Sequence, residues 1–207
     1  MILEQLKNDI IKYGDIVDIK GFSPGTSGNI SCRYGDKILI SASGSSNGDL
    51  AYDDLVIIDF EGNLVKGSKK ASSEKMLHVE FYKKRSDVNA IIHVHPPFLS
   101  AFAAARKSLE EPVMAENVFY FGKIPLADYA LPSSKELVDN TAKYFDKYNA
   151  VLMANHGFIV GDVDIAQAYL RLELAESYAQ VVLNASILGG AVLLNEKEVA
   201  QIEALKN

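Results

Sequence analysis

The feature of this 207-residue chain that most restricts its fold is an alternation of two periodicities. Apolar runs of strand length lie at 29–33, 37–41, 55–59, 90–94, 123–126, 150–154 and 158–160. Between them, apolar residues recur at helical spacing over 2–13, 73–85, 97–107, 133–148, 164–188 and 196–205. Gly, Ser, Pro and Asn mark the junctions, and no linker divides the series. Such interleaving predicts an α/β layered domain with a mixed central sheet, one unit over residues 1–207. In the longest helical run, Ile165, Tyr169, Leu172, Ala175, Ala179, Leu183 and Ile187 predict one buried stripe.

Composition narrows the function classes. With 48% hydrophobic and 23% charged residues and no low-complexity tract, the chain has what a packed core needs. A net charge of −6 argues against a nucleic-acid partner, because binding a phosphate backbone takes a stripe of Lys and Arg. Small anions stay within reach, since backbone amides can hold them. The single Cys32 has no disulfide partner in the chain and reads as core filler in a reducing compartment. Residues 2–13 set Glu4, Lys7, Asp9 and Lys12 between Ile2, Leu6 and Ile10, which is amphipathic and unlike a signal peptide. The apolar stretch 181–194 is broken by Asn184 and Gly189-Gly190 and is too short to span a bilayer. A cytoplasmic protein with no membrane segment is expected.

Two of the four histidines stand in "AIIHVHPPF", residues 90–98. In an extended strand alternate side chains share a face, so His93 and His95 point the same way with Cα atoms roughly 6.5–7 Å apart. Two imidazoles so placed can reach one ion, and a catalytic zinc site takes three protein ligands and keeps a position open. His156, in "VLMANHGF" after another apolar run, is the candidate third ligand. His78 sits among Met76, Leu77 and Phe81 on a helical run and reads as a structural histidine.

Neutral donors and a carboxylate complete the polar inventory. In "KKASSEKMLH" Ser72 or Ser73 can cap a helix whose first turn holds Glu74, a candidate general base beside amides and hydroxyls able to hold phosphate. "PGTSGNIS" at 24–31 and "SASGSSNG" at 41–48 add glycine-rich turns, although neither has the spacing of the dinucleotide fingerprint or the P-loop. Residues 44–48, "GSSNG", match the G-x-S-x-G nucleophile elbow in letters only. An elbow runs from a strand straight into a helix, and this turn returns to a strand, so a serine hydrolase is not expected.

Taken in order, "GTSGNIS", "SASG", "SSE", "HVH" and "ANHG", followed by a long C-terminal helix, resemble the class II aldolase/adducin family over nearly the whole chain. The resemblance implies a three-layer α/β/α fold, a homotetramer with sites between subunits, and a catalytic Zn2+. It makes His93, His95 and His156 the metal ligands and Glu74 the acid/base, ligating the metal when substrate is absent. It assigns substrate phosphate to Gly28, Asn29, Ser43, Gly44, Ser72 and Ser73. The implied reaction is cleavage of a ketose 1-phosphate to dihydroxyacetone phosphate and a short aldehyde, with zinc as Lewis acid.

Two departures fall on the aldehyde side. Met114 stands where the family's aldolases carry a tyrosine proton donor, with Tyr120 and Tyr129 nearby, and the chain ends at "IEALKN" without their C-terminal tyrosine. Other members of the family are 4-epimerases, methylthioribulose-1-phosphate dehydratases and sugar-acid phosphate decarboxylases. The epimerases typically carry Asp where "SSE" has Glu74, and adducin-type binding domains lack the metal histidines present here.

Overall fold

The computed structural model describes residues 2–206. Helix α1 (Leu3–Ile19) leads into strands β1 (Asn29–Tyr34), β2 (Lys37–Ser41), β3 (Leu55–Ile58) and β4 (Leu64–Lys66). There follow α2 (Lys75–Lys84), β5 (Ala90–Val94), α3 (Pro97–Ala104), α4 (Ala115–Tyr120), β6 (Leu126–Ala127) and α5 (Lys135–Ala142). The hairpin β7 (Ala150–Met153) and β8 (Gly157–Asp162) precedes the long α6 (Ile165–Ile187) and α7 (Glu196–Glu203).

The strands form one sheet in the order β4-β3-β2-β1-β5-β8-β7-β6. It is mixed, as expected: β6 and β7 run parallel, and the other neighbouring pairs are antiparallel. Both faces are covered, which gives the three-layer α/β/α arrangement. Ile30, Cys32, Ile92, Val94, Phe158 and Val160 pack with residues of α1, α3 and α6 on one face. Ile38, Ile40, Ile91, Val151 and Ile159 pack with residues of α2 and α5 on the other. Cys32 is free and buried in the first of these cores.

This period-two division positions the site. Ile92 and Val94 of β5 face α1, α3 and α6, so His93 between them faces α2. On β1, Ile30 and Cys32 likewise leave Asn29 and Ser31 on the α2 side. Register then sets Asn29 directly opposite His93.

Several boundaries differ from expectation. Helix α1 continues through Gly14 to Ile19, and Gly14 packs against the 47–50 turn, where a Cβ would come 2.5 Å from the Asn47 carbonyl oxygen. Helix α2 starts at Lys75 rather than at 73, so Glu74 is its N-cap residue and its side chain makes no capping bond. The run 133–148 is helical only to Ala142, after which Phe145 turns in to stack on Phe81 at a centroid distance of 4.0 Å. Of the strand expected at 123–126, Ile124 bridges Leu109 instead, and β6 is the pair Leu126–Ala127. The three-residue β4 and six-residue α4 were too short to show a period.

The stripe on α6 is buried from Ile165 to Ala179 only; Leu183 and Ile187 are exposed. A 23-residue helix is about 35 Å long, whereas a six-residue strand spans about 20 Å, so the last turns outrun the sheet. Residues 43–44 form a turn and Asn47–Asp49 a short 3-10 turn, not a strand-to-helix elbow. Among the described residues no helix is long and apolar enough to cross a membrane.

Candidate metal centre and active site

Three structural devices bring the histidines together. His93 is held by β5, and its Nδ1 donates to the Phe158 carbonyl on β8 at 2.9 Å. His95 follows the end of β5, with its backbone N–H on the Phe22 carbonyl at 2.9 Å. The carboxylate of Glu176 then accepts from the N–H groups of Phe98 and Leu99, both at 2.8 Å, which fixes the start of α3 beyond the two prolines. His156 is the last residue of the three-residue turn between β7 and β8. In that turn Asn155 adopts a left-handed conformation, φ 53°, and its side-chain oxygen accepts from Arg106 Nε at 2.9 Å. Gly157 is required next to it, because a Cβ there would lie 2.4 Å from His95 Cδ2 and 2.8 Å from the Val94 carbonyl oxygen.

The rings form a near-equilateral triangle, with centroids 5.1, 5.0 and 5.2 Å apart. One nitrogen from each lies within 4.8 Å of the other two. Glu74 closes the group, with Oε2 2.9 Å from His93 Nε2 and Oε1 3.3 Å from His156 Nε2. The residues expected to bind metal from spacing and resemblance are therefore assembled at one point.

This set fits a divalent cation. Because His93 Nδ1 donates to a carbonyl, its Nε2 lone pair faces the Glu74 carboxylate, an arrangement that repels unless a proton or a cation intervenes. Among the described residues the buried Glu74 Oε1 and His156 Nδ1 have no hydrogen-bond partner. Burial, reinforced by His93, brings His95 down to about 3 and His156 down to about 4, so both are neutral at pH 7 with lone pairs to offer. Burial also lowers His93, but Glu74 outweighs it and leaves His93 above its ordinary value. For Glu74 burial pushes upward, yet the imidazoles of His93 and His156 and the Asn29 amide hold it well below the carboxylate range. Glu74 is thus held in its ionised form.

The segments expected to hold phosphate meet beside this centre. Ala42 bridges Ala71, Ser43 N–H donates to the Lys70 carbonyl at 2.8 Å, and Ser72 N–H donates to the Ser41 carbonyl at 3.1 Å. Ser72 is buried and its Oγ accepts the Glu74 N–H at 3.2 Å, while Ser43, Gly44 and Ser73 are exposed. Gly28, at φ +79°, lies so close to β5 that a Cβ would come 2.5 Å from the His93 carbonyl oxygen. Asn29 is buried; its Oδ1 accepts from His78 at 2.5 Å and its Nδ2 donates to Glu74 Oε2 at 3.4 Å. One amide proton of Asn29 remains for a ligand.

Met114 precedes the short α4 and Tyr120 is its last residue, with Met114 and the Tyr120 ring partly exposed. The Tyr120 carbonyl accepts from Arg171 Nη1, and Tyr129 is half-exposed. A cleft of about 590 Å³ between α3, residues 105–113 and α6 contains none of the histidines or Glu74.

Ser31, Tyr82 and Gly157 did not stand out in the sequence. The available signal for Ser31 was "NISCRY", in which Asn29, Ser31 and Arg33 alternate with apolar residues in a central strand. Tyr82 lies at helical spacing from His78 and Glu74, and is buried.

Known proteins resemble this chain along its whole length. A 5-deoxy-D-ribulose 1-phosphate aldolase of Bacillus thuringiensis serovar kurstaki is 32% identical over 205 residues, 98% of this chain and 95% of that one. An L-fuculose phosphate aldolase of Methanocaldococcus jannaschii is 36% identical over 159 residues, covering 77% of this chain and 85% of that one. The solved structure of an L-fuculose 1-phosphate aldolase superposes with a TM-score of 0.93 at 30% identity, covering 99% of this chain and 97% of the other. The family described as Class II Aldolase and Adducin N-terminal domain matches residues 8–183, and with the histidine centre and the fold in agreement, this chain belongs to that class II aldolase/adducin family.

Proposed function

We propose that this protein is a zinc-dependent carbon-carbon lyase that cleaves a ketose 1-phosphate between C3 and C4 to dihydroxyacetone phosphate and a short aldehyde, working as a homotetramer. The observation that carries this reading is the Glu74 carboxylate, ionised and buried against the imidazoles of His93 and His156. Relatives similar over most of the chain are described as acting on 5-deoxy-D-ribulose 1-phosphate and L-fuculose phosphate.

Breaking the C3–C4 bond leaves negative charge on the three-carbon phosphate fragment. Zinc held by His93, His95 and His156 would supply Lewis-acid stabilisation of that charge. As the bond breaks, the C4 hydroxyl gives up its proton to become the aldehyde and C3 gains one; Glu74, ionised at neutral pH and fixed by a donor on one oxygen, takes up a proton and returns it at C3, the carbon beside the carbonyl. Gly28, Asn29, Ser43, Gly44, Ser72 and Ser73 hold the phosphate with neutral N–H and O–H donors, which binds the anion without a lysine competing for Glu74.

The test is to assay the zinc-loaded protein with 5-deoxy-D-ribulose 1-phosphate and L-fuculose 1-phosphate, measuring dihydroxyacetone phosphate. Release of that product, abolished by a chelator and restored by zinc, is expected. Substrate loss without it would replace cleavage by dehydration, epimerisation or decarboxylation at the same centre.

A further inference from the structure

Behind Glu74 runs a chain of buried polar groups of which the proposed chemistry uses only Asn29. Tyr82 Oη lies 2.9 Å from Ser31 Oγ, which lies 2.7 Å from His78 Nδ1; His78 Nε2 lies 2.5 Å from Asn29 Oδ1. Ser31 and His78 are completely buried, and Tyr82 and Asn29 nearly so.

The direction of every bond in this chain follows from its last member. An ionised carboxylate only accepts, so the Asn29 group facing Glu74 Oε2 is the amide nitrogen, and its oxygen faces His78. An amide oxygen also only accepts, so His78 carries its proton on Nε2. Its Nδ1 must then accept from the Ser31 hydroxyl, whose oxygen is left to accept from Tyr82. Burial brings His78 down to about 3, which keeps it in the neutral form this arrangement needs.

We propose that His78 is a positioning residue: as the Nε2–H tautomer, with its Nδ1 accepting from Ser31 and Ser31 from Tyr82, it locks the Asn29 amide so that its N–H aims the Glu74 carboxylate. Without that lock the amide can rotate and present its oxygen to the carboxylate, and Glu74 leaves its working orientation. Asn29 is thus held from behind by His78, and Glu74 from the side by Asn29. The role of Glu74 in this statement rests on the aldolase reading; the tautomer of His78 does not.

The experiment pairs two amide variants with one direct measurement. A Gln side chain can place its N–H where His78 Nε2 stands, whereas Asn reaches only the Nδ1 position. His78→Gln is expected to keep kcat within about threefold of wild type, and His78→Asn to lose about 10- to 100-fold in kcat with KM little changed. Equal losses in both variants, or wild-type kcat in His78→Asn, would overturn the proposal. In wild-type protein labelled with 15N-histidine, nitrogen shifts are expected to show His78 as Nε2–H, and an Nδ1–H tautomer would overturn the proposal even if neither variant folds. Wild-type protein inactive on both ketose phosphates would sink the aldolase reading instead, and the tautomer would still decide the role of His78.

Discussion

The two faces of the central sheet are built from the same strands, yet they do different work. On the face of α1, α3 and α6 the buried residues are almost all apolar, and the buried Glu176 is spent on holding the start of α3. On the face of α2 and α5, Asn29, Ser31, Glu74, His78 and His93 are buried together beside an apolar core. One face supplies stability through area removed from water; the other gives up some of that burial to hold polar groups in fixed orientation. Function therefore depends on which parity a residue occupies more than on which strand it belongs to.

Four measurements would break or sharpen that contrast. The largest effect is expected at Glu74→Gln, which should lower kcat by about 10²- to 10⁴-fold while zinc content is unchanged; turnover near wild type would remove Glu74 from the chemistry. On the apolar face, Leu172→Ala should cost about 2–5 kcal/mol in unfolding free energy and leave kcat of the folded protein intact. A large loss of kcat there would mean that the two faces are coupled. Gly157→Ala drives a methyl group against His95 and should weaken metal affinity by about 10- to 100-fold, read by titration with zinc in the presence of a competing chelator.

The smallest effect is in acid. His78 titrates near 6.5 in the unfolded chain and at about 3 in the folded protein, chiefly through burial, with His93 adding and Glu74 opposing. Between those values the unfolded state binds a proton that the native state refuses, so stability is complete above about pH 6.5 and falls as pH drops toward 3. The slope from this group is about 1.4 kcal/mol per pH unit. Denaturant unfolding of metal-free wild type and His78→Gln between pH 7 and 5 should show a shallower decline in the variant, and parallel curves would contradict it.

Much of this was legible in the sequence because it depends on period and spacing. The alternation of runs gave the α/β class and mixed sheet, and H-x-H on one strand gave two imidazoles on one side. Less legible were features that depend on lengths and neighbours. The α6 stripe read as buried to Ile187, but the sheet beneath it ends sooner. Glu74 read as a first-turn residue, but the helix begins at Lys75, just beyond it, and frees its side chain for the histidines. His78 read as structural, which its burial matches, but its partners on β1 lie 47 and 49 positions away.

The sequence by itself determined the ingredients: which residues are apolar at strand or helix period, which side chains can ligate or move a proton, and which glycines permit sharp turns. Those are properties of single residues and short spacings. Only the tertiary structure decided that His156 meets His93 and His95, that Glu74 stays ionised among them, and that Asn29 stands opposite His93. Each of these depends on strand order, register and burial across the whole sheet, and electrostatic energy depends on distances that the linear sequence does not contain.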